Sequence, residues 1–185
     1  GLVLSPSSVR KVHRVFSQAL ALAVKDDRLA KNPATGVTLP RVETAEKRYL
    51  THEQVERLAE LVGPEWRLLV LFLAYTGLRW GEVAALRVSR LDLLRRRAII
   101  AESVTPVRGV MTFGPTKGHE RREVPIPKFL AKELEQHIDG KGPKDLVFTG
   151  PRGAALRGQV FQRAALIPAA EALGLCEAVL DEDGK

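Results

Sequence analysis

The sequence predicts a mainly helical α+β fold with a small three-stranded antiparallel sheet. Three observations predict it. Four segments before residue 90 have helical spacing or helix start and stop signals, whereas residues 97–126 hold three β-rich runs broken by turns. Between residues 32 and 48 lies "NPATGVTLPRVETAEKR", with two prolines, a glycine and no period, which reads as a linker between domains. Finally, a chain of 185 residues with 45% hydrophobic content can bury one full domain and part of a second.

The first helix starts at Ser5, a plausible N-cap, with Pro6 in its first turn. Val9, Val12, Phe16, Ala19, Leu20 and Ala23 hold a helical spacing along it, and Arg10, Lys11 and Arg14 lie off that stripe. One amphipathic helix cannot be a domain by itself. Together with a chain that opens at Gly1, this suggests a stretch taken from something longer.

After the linker, "LTHEQV" announces a second helix. Thr51 and Gln54 are spaced as a capping box, and Leu50 with Val55 as a hydrophobic staple. That helix should run to about Val62. "GPE" separates it from a buried helix at 65–76, which Gly77 should end in the left-handed conformation. A short helix around 80–87 comes next. "RAIIAESV" (97–104), "GVMTFG" (109–114) and "RREVPI" (121–126) read as three strands, with "PTKGHE" (115–120) as a turn. Pro125 confines the third to an edge or its end. Pro127 begins another helix, "LVF" (146–148) reads as a short strand, and a last helix from about Gln159 should be kinked or interrupted at Pro168.

Charge narrows the function. The net charge is +7, yet residues 171–185 hold five acids against Lys185, a local −4 that leaves +11 on the other 170 residues. A basic body of this kind points to a polyanion, most often nucleic acid. One cysteine (Cys176) and four scattered histidines exclude a disulfide framework and any standard zinc spacing. The longest apolar run, "LLVLFLAY" (68–75), is too short to span a bilayer, and no signal peptide is visible, so a cytoplasmic protein is expected. There is no P-loop, no Gly-x-Ser-x-Gly elbow and no dinucleotide fingerprint.

"AYTGLRWGEVAALRV" (74–88) carries the most information. Arg79 stands just after a Thr-Gly helix stop, at the first turn of the next helix, where the helix dipole disfavours a cation. Either a carboxylate or an anion from outside must compensate it. Glu82, three residues on, is spaced to pair with it. A rigid apolar helix fixes this turn, which suits a residue that must be aimed.

"TGLRWGEVAALRVSRLDL" resembles the first-arginine box of the tyrosine recombinases, the phage integrase family, with the form Thr-Gly-(Leu/Met)-Arg-x-(Ser/Gly)-Glu. The segments beyond the box come in a similar order too: a small sheet, a hairpin turn reading "TKG", then "RREVPIP". The upstream helix and "NPATGV" resemble the end of the family's core-binding domain. The resemblance covers about residues 5–175. It implies residues 1–31 as the C-terminal helix of a SAM-like core-binding domain, 32–48 as the interdomain linker, and 49–185 as the N-terminal part of the catalytic domain.

It further implies site-specific DNA recombination or integration through a phosphotyrosyl intermediate, by an intact protein that assembles as a tetramer on double-stranded DNA. By that match Arg79 is the first catalytic arginine, Glu82 its acidic neighbour and Lys117 the hairpin lysine. A planar guanidinium can neutralise non-bridging phosphate oxygens with two aligned donors. A lysine on a hairpin can protonate the leaving sugar oxygen. No metal or other cofactor is implied. Arg10, Lys11, Arg14, Arg121 and Arg122 are the candidate DNA-contacting cations.

The chain departs from the family in its second half. The His-x-Leu-Arg-His box is missing, and "HERR" (119–122) lies in the hairpin turn instead. Tyr49 and Tyr75 are the two tyrosines, and neither stands where the nucleophile should. The expectation is a fragment without a nucleophile, inactive in cleavage. A different class, a non-catalytic helix-turn-helix DNA-binding regulator built on residues 65–88, is the alternative. Its recognition helix would offer few side chains to base edges.

Overall fold

A computed structural model describes residues 4–42, 49–116, 118, 121–150 and 153–175. The chain divides into two compact units, Gly1–Tyr49 and Leu50–Lys185.

The first unit is built on α1 (Pro6–Lys25), capped by Ser5, whose hydroxyl accepts from the Ser8 N–H. The segment after α1 folds back along one helix face. Asn32 donates to the Ser17 carbonyl at 2.9 Å, and the His13 ring meets the Ala34 carbonyl at 3.1 Å. The half-buried positions of α1 are therefore Ser8, Val9, His13, Ser17, Leu20, Ala23 and Val24. Val12 and Phe16 of the expected apolar stripe stay 60% and 58% exposed, as on an apolar face without its partner. The polar bonds of His13 and Ser17, rather than hydropathy, choose the covered face. Residues 32–42 of the expected linker lie in this unit, and 43–48 lie outside the described residues.

In the second unit, α2 (His52–Leu61) carries the expected capping box: Gln54 N–H donates to Thr51 Oγ1, and Thr51 N–H donates to Gln54 Oε1. The helix α3 (Pro64–Thr76) ends at Gly77, whose φ of 63° is the left-handed cap. Leu69, Val70, Leu71 and Phe72 are buried around its circumference. A helix buried over most of its circumference, with Pro64, Glu65 and Ala74 left exposed, must have neighbours on several sides. Here they are α2 and α5 (Lys128–His137), tied by Arg67, which bonds Glu133 at 2.6 Å and approaches Glu56 at 3.7 Å.

Next come α4 (Trp80–Ala84), a 3-10 turn at Val88–Arg90, and five strands: β1 (Leu91–Asp92), β2 (Arg97–Ile100), β3 (Glu102–Val107), β4 (Val110–Pro115) and β5 (Arg122–Pro125). They form two antiparallel sheets, β1-β2-β5 and β3-β4. The expected single strand at 97–104 is thus two strands. At Ala101 the chain leaves β5 as partner and takes β4, a change of partner that hydrophobic pattern alone does not reveal. The unexpected β1 exists because Asp92 accepts from the Arg95 N–H and Arg96 takes a positive φ of 54°, turning the chain without glycine or proline. β5 is an edge strand, as Pro125 requires.

The expected strand at 146–148 is reduced to one bridge, Leu146 to Arg87, with Val147 N–H donating to the Leu86 carbonyl. The last helical stretch passes from α6 (Gly158–Phe161) to α7 (Ile167–Ala172) through a π-helical turn, Gln162–Leu166. Pro168 lacks an N–H, and the loosened turn before it absorbs the lost bond, so the interruption takes the form of a π turn.

Candidate functional site

Four elements build the site. Gly77 stops α3, and Leu78, 6% exposed, drops into the core immediately after it. Arg79 then takes an extended backbone (φ −72°, ψ 149°) and α4 restarts at Trp80. Trp80 stacks on Phe161 with ring centroids 5.0 Å apart, so it packs. Leu78 and Trp80 anchor the turn on both sides, and the Arg79 side chain between them is 71% exposed.

One residue further, Gly81 sits against β3. A Cβ there would lie 2.6 Å from Ser103 Oγ and 2.7 Å from the Val104 carbonyl oxygen, closer than packing allows. This is a close-approach glycine, and it lets α4 settle on the strand.

Glu82 is 2% exposed, a carboxylate inside the protein. It accepts four hydrogen bonds. Two come from Arg79: its backbone N–H to Oε2 at 2.9 Å, and its Nη1 to Oε1 at 3.2 Å. Two come from Arg122 on β5: Nη1 to Oε1 at 3.0 Å and Nη2 to Oε2 at 2.6 Å, a bidentate fork. Burial pushes the Glu82 carboxyl up. The Arg122 fork, the Arg79 N–H, the Arg122 charge and the Arg79 side-chain bond outweigh it and hold the group below the usual glutamate value. In return the bonds to Glu82 raise Arg122, against the smaller effect of its own burial. The carboxylate stays charged, and the cluster of two guanidiniums and one carboxylate carries a net +1.

Structure thus answers what compensates Arg79. Glu82 does so in part, and Arg122 provides most of the counter-charge Glu82 needs. The Glu82 partner was not expected from sequence, although its signal was present. Alternation in "RREVPI" puts Arg122, Val124 and Ile126 on the inward face, and Arg121, Glu123 and Pro125 outside. An arginine on an inward face needs an acid.

The other expected residues are spread over both units. Arg121 is exposed. Arg10, Lys11 and Arg14 are exposed on α1 of the first unit, and Arg10 Nε donates to the Pro40 carbonyl at 2.8 Å. Lys117 and His119 lie outside the described residues. Tyr75 is half-buried: it stacks on His52 at 5.6 Å, meets Phe129 edge-on at 5.1 Å, and its hydroxyl is 3.2 Å from His52 Nδ1. Tyr49 is 81% exposed. The segment proposed for a recognition helix, α4, has five residues, and Glu82, Val83 and Ala84 among them are buried, which leaves no face to lie in a groove. Among the described residues no three His, Cys, Asp or Glu side chains gather as metal ligands, and no helix is long and apolar enough to cross a membrane.

A buried carboxylate forked by a half-exposed arginine and touched by a more exposed one, set between a helix turn and a sheet edge, is a site built to present a cation. The phage integrase family model matches residues 48–173, and the chain belongs to that family. The integrase of Mycobacterium phage D29 is 27% identical over 170 residues, which is 85% of this chain and 44% of that protein. A tyrosine recombinase of Pseudothermotoga lettingae is 31% identical over 151 residues, 78% of this chain and 47% of the relative. The fold matches the Tn1549 transposon integrase, solved in complex with a circular intermediate DNA, with a TM-score of 0.77 at 20% identity, over 94% of this chain and 60% of that one. The chain spans about half the length of the curated relatives it matches.

Proposed function

We propose that this chain supplies the charge-stabilising part of a phosphoryl-transfer site for site-specific DNA recombination by the intact protein. The observation that carries the reading is the asymmetry of the cluster: Glu82 and its fork with Arg122 are turned inward, whereas Arg79 is 71% exposed on a rigid turn. An exposed guanidinium held at its base can meet two oxygens of a phosphate with its remaining donors.

In the reaction, a tyrosine hydroxyl would attack the phosphorus and release its proton. The bond from phosphorus to the 5′ oxygen breaks, and Lys117 protonates that oxygen. Arg79 stabilises the charge that gathers on the non-bridging oxygens. Tyr75 is packed between His52 and Phe129, and Tyr49 precedes the first-arginine box in sequence, so neither suits the nucleophile's role. Incubated alone with a nicked suicide duplex, the 185-residue chain should form no covalent adduct.

Double-stranded DNA is the proposed partner and the cytoplasm the proposed location, in line with the DNA-bound Tn1549 integrase and the phage integrase relatives. Assembly into a tetramer on the site is part of the same proposal. Arg10, Lys11, Arg14 and Arg121 are exposed cations suited to backbone phosphates, and Arg122 enters through Glu82. The test is duplex binding by fluorescence anisotropy across a salt series. Log affinity should fall linearly with log salt, and Arg79→Ala should reduce the slope by about 0.9, the share of one phosphate. Affinity independent of salt, or a slope that Arg79→Ala leaves unchanged, would reject the reading.

A further inference from the structure

Glu82 sits at the centre of the cluster, and Arg122, with its side chain 39% exposed, spends its fork on both Glu82 oxygens, so the question is what the second guanidinium does. We infer that Arg122 is a positioning residue that saturates the Glu82 carboxylate and thereby leaves the Arg79 guanidinium free to face a phosphate. The inference rests on the proposed phosphate-binding role of Arg79.

The geometry is specific. A carboxylate has two oxygens, and Arg122 occupies both, at 3.0 and 2.6 Å. Arg79 is left with a single side-chain contact at 3.2 Å, the longest of the four bonds to Glu82, and the rest of its guanidinium is in solvent. Its stronger tie is through the backbone N–H at 2.9 Å, which fixes the base of the residue without using the fork.

Without Arg122, a carboxylate that is 2% exposed would keep, among the described residues, only Arg79 as an ion-pair partner. Leaving a buried charge half-compensated is costly, so Arg79 would turn inward and take the bidentate position itself. The cluster's charge would fall from +1 to zero, and the group aimed at the substrate would be withdrawn. In sequence β5 follows directly on the segment that holds Lys117, so the strand that leads out of one proposed reacting cation also carries the residue that keeps the other available.

The experiment observes Arg79 directly, using the full chain labelled with nitrogen-15 arginine. In wild type, without DNA, the Arg79 guanidinium should show fast rotation and rapid proton exchange in side-chain NMR. In Arg122→Met the same signal should become restricted and protected. In Arg122→Met/Glu82→Gln it should return to wild-type mobility, because a neutral amide no longer draws the arginine in. Should Arg122→Met fail to fold, Arg122→Lys serves instead: its single ammonium covers one oxygen, and Arg79 should show intermediate restriction.

Duplex affinity separates this inference from the one beneath it. Arg122→Met should lower the salt slope by as much as Arg79→Ala, and the double variant lacking both arginines should be no worse than either. Restriction of Arg79 without loss of duplex affinity would support the positioning role and overturn the phosphate role. Arg79 as mobile in Arg122→Met as in wild type would overturn the positioning role, and additive losses in the double variant would assign Arg122 a phosphate of its own.

Discussion

Arg79→Ala should leave the protein folded and almost as stable as wild type, although it removes half of a salt bridge to a buried carboxylate. The structure sets the magnitude. Of the four hydrogen bonds to Glu82, the Arg79 side chain makes one, at 3.2 Å, and that side chain is 71% exposed. An ion pair with so much solvent on one partner is worth about 0–1 kcal/mol. The 2.9 Å bond from the residue 79 N–H persists in alanine, and Arg122 keeps both carboxylate oxygens occupied. The expected loss is therefore below about 1 kcal/mol, which lowers Tm by no more than roughly 2–4 °C for a chain of this size. Urea unfolding followed by circular dichroism measures it, with an unchanged m-value as the sign that the unfolded reference is the same. A loss near 3 kcal/mol or more, or a collapse of the cooperative transition, would show Arg79 to be a structural ion-pair residue and refute the reasoning.

Glu82→Ala should behave in the opposite way. It strands two guanidiniums that are 71% and 39% exposed, so the loss is discounted for solvent to about 2–3 kcal/mol from the usual cost of breaking a buried pair; urea unfolding reads it, and a loss under 1 kcal/mol would contradict the buried-hub description. Gly81→Ala should cost about 1–3 kcal/mol by overpacking, and adding Ser103→Ala should recover only part of it, because the Val104 carbonyl 2.7 Å from the new Cβ belongs to the backbone. Stability should also fall on acidification in two windows. His137 is lowered from the ordinary 6.5, by burial first and by Lys141 second, against its bond to the Val147 carbonyl, so the unfolded chain takes up that proton first and stability declines as pH drops below about 6.5. Glu82 is lowered from 4.5, so its contribution is complete above that pH and is lost below it; unfolding curves of His137→Gln and Glu82→Gln should lack the upper and lower declines respectively.

Helix signals were the most legible part of the sequence, because capping and termination are local. Thr51 with Gln54, and Gly77, do what their spacing says. The sheet was less legible. "RAIIAESV" reads as one strand because β propensity does not record a change of partner, and β1 has a turn without glycine or proline. On α1, hydropathy does not signal that His13 and the Ser17 carbonyl hold the covering segment, while the outward Val12 and Phe16 fit an apolar face without its partner. The site divided in the same manner. Arg79 and Glu82 are three residues apart on one turn and could be paired by reading, whereas Arg122 reaches Glu82 across 40 positions. Only the inward alternation of β5 hinted at it, and that hint names no partner.

The most direct test is a structure of the chain bound to duplex DNA. The Arg79 guanidinium should lie within hydrogen-bonding distance of a backbone phosphate, while Arg122 keeps its fork on Glu82. DNA seated elsewhere on the protein, or Arg79 still turned to Glu82 with no phosphate near it, would contradict the claim that this cluster is built to hold a phosphate.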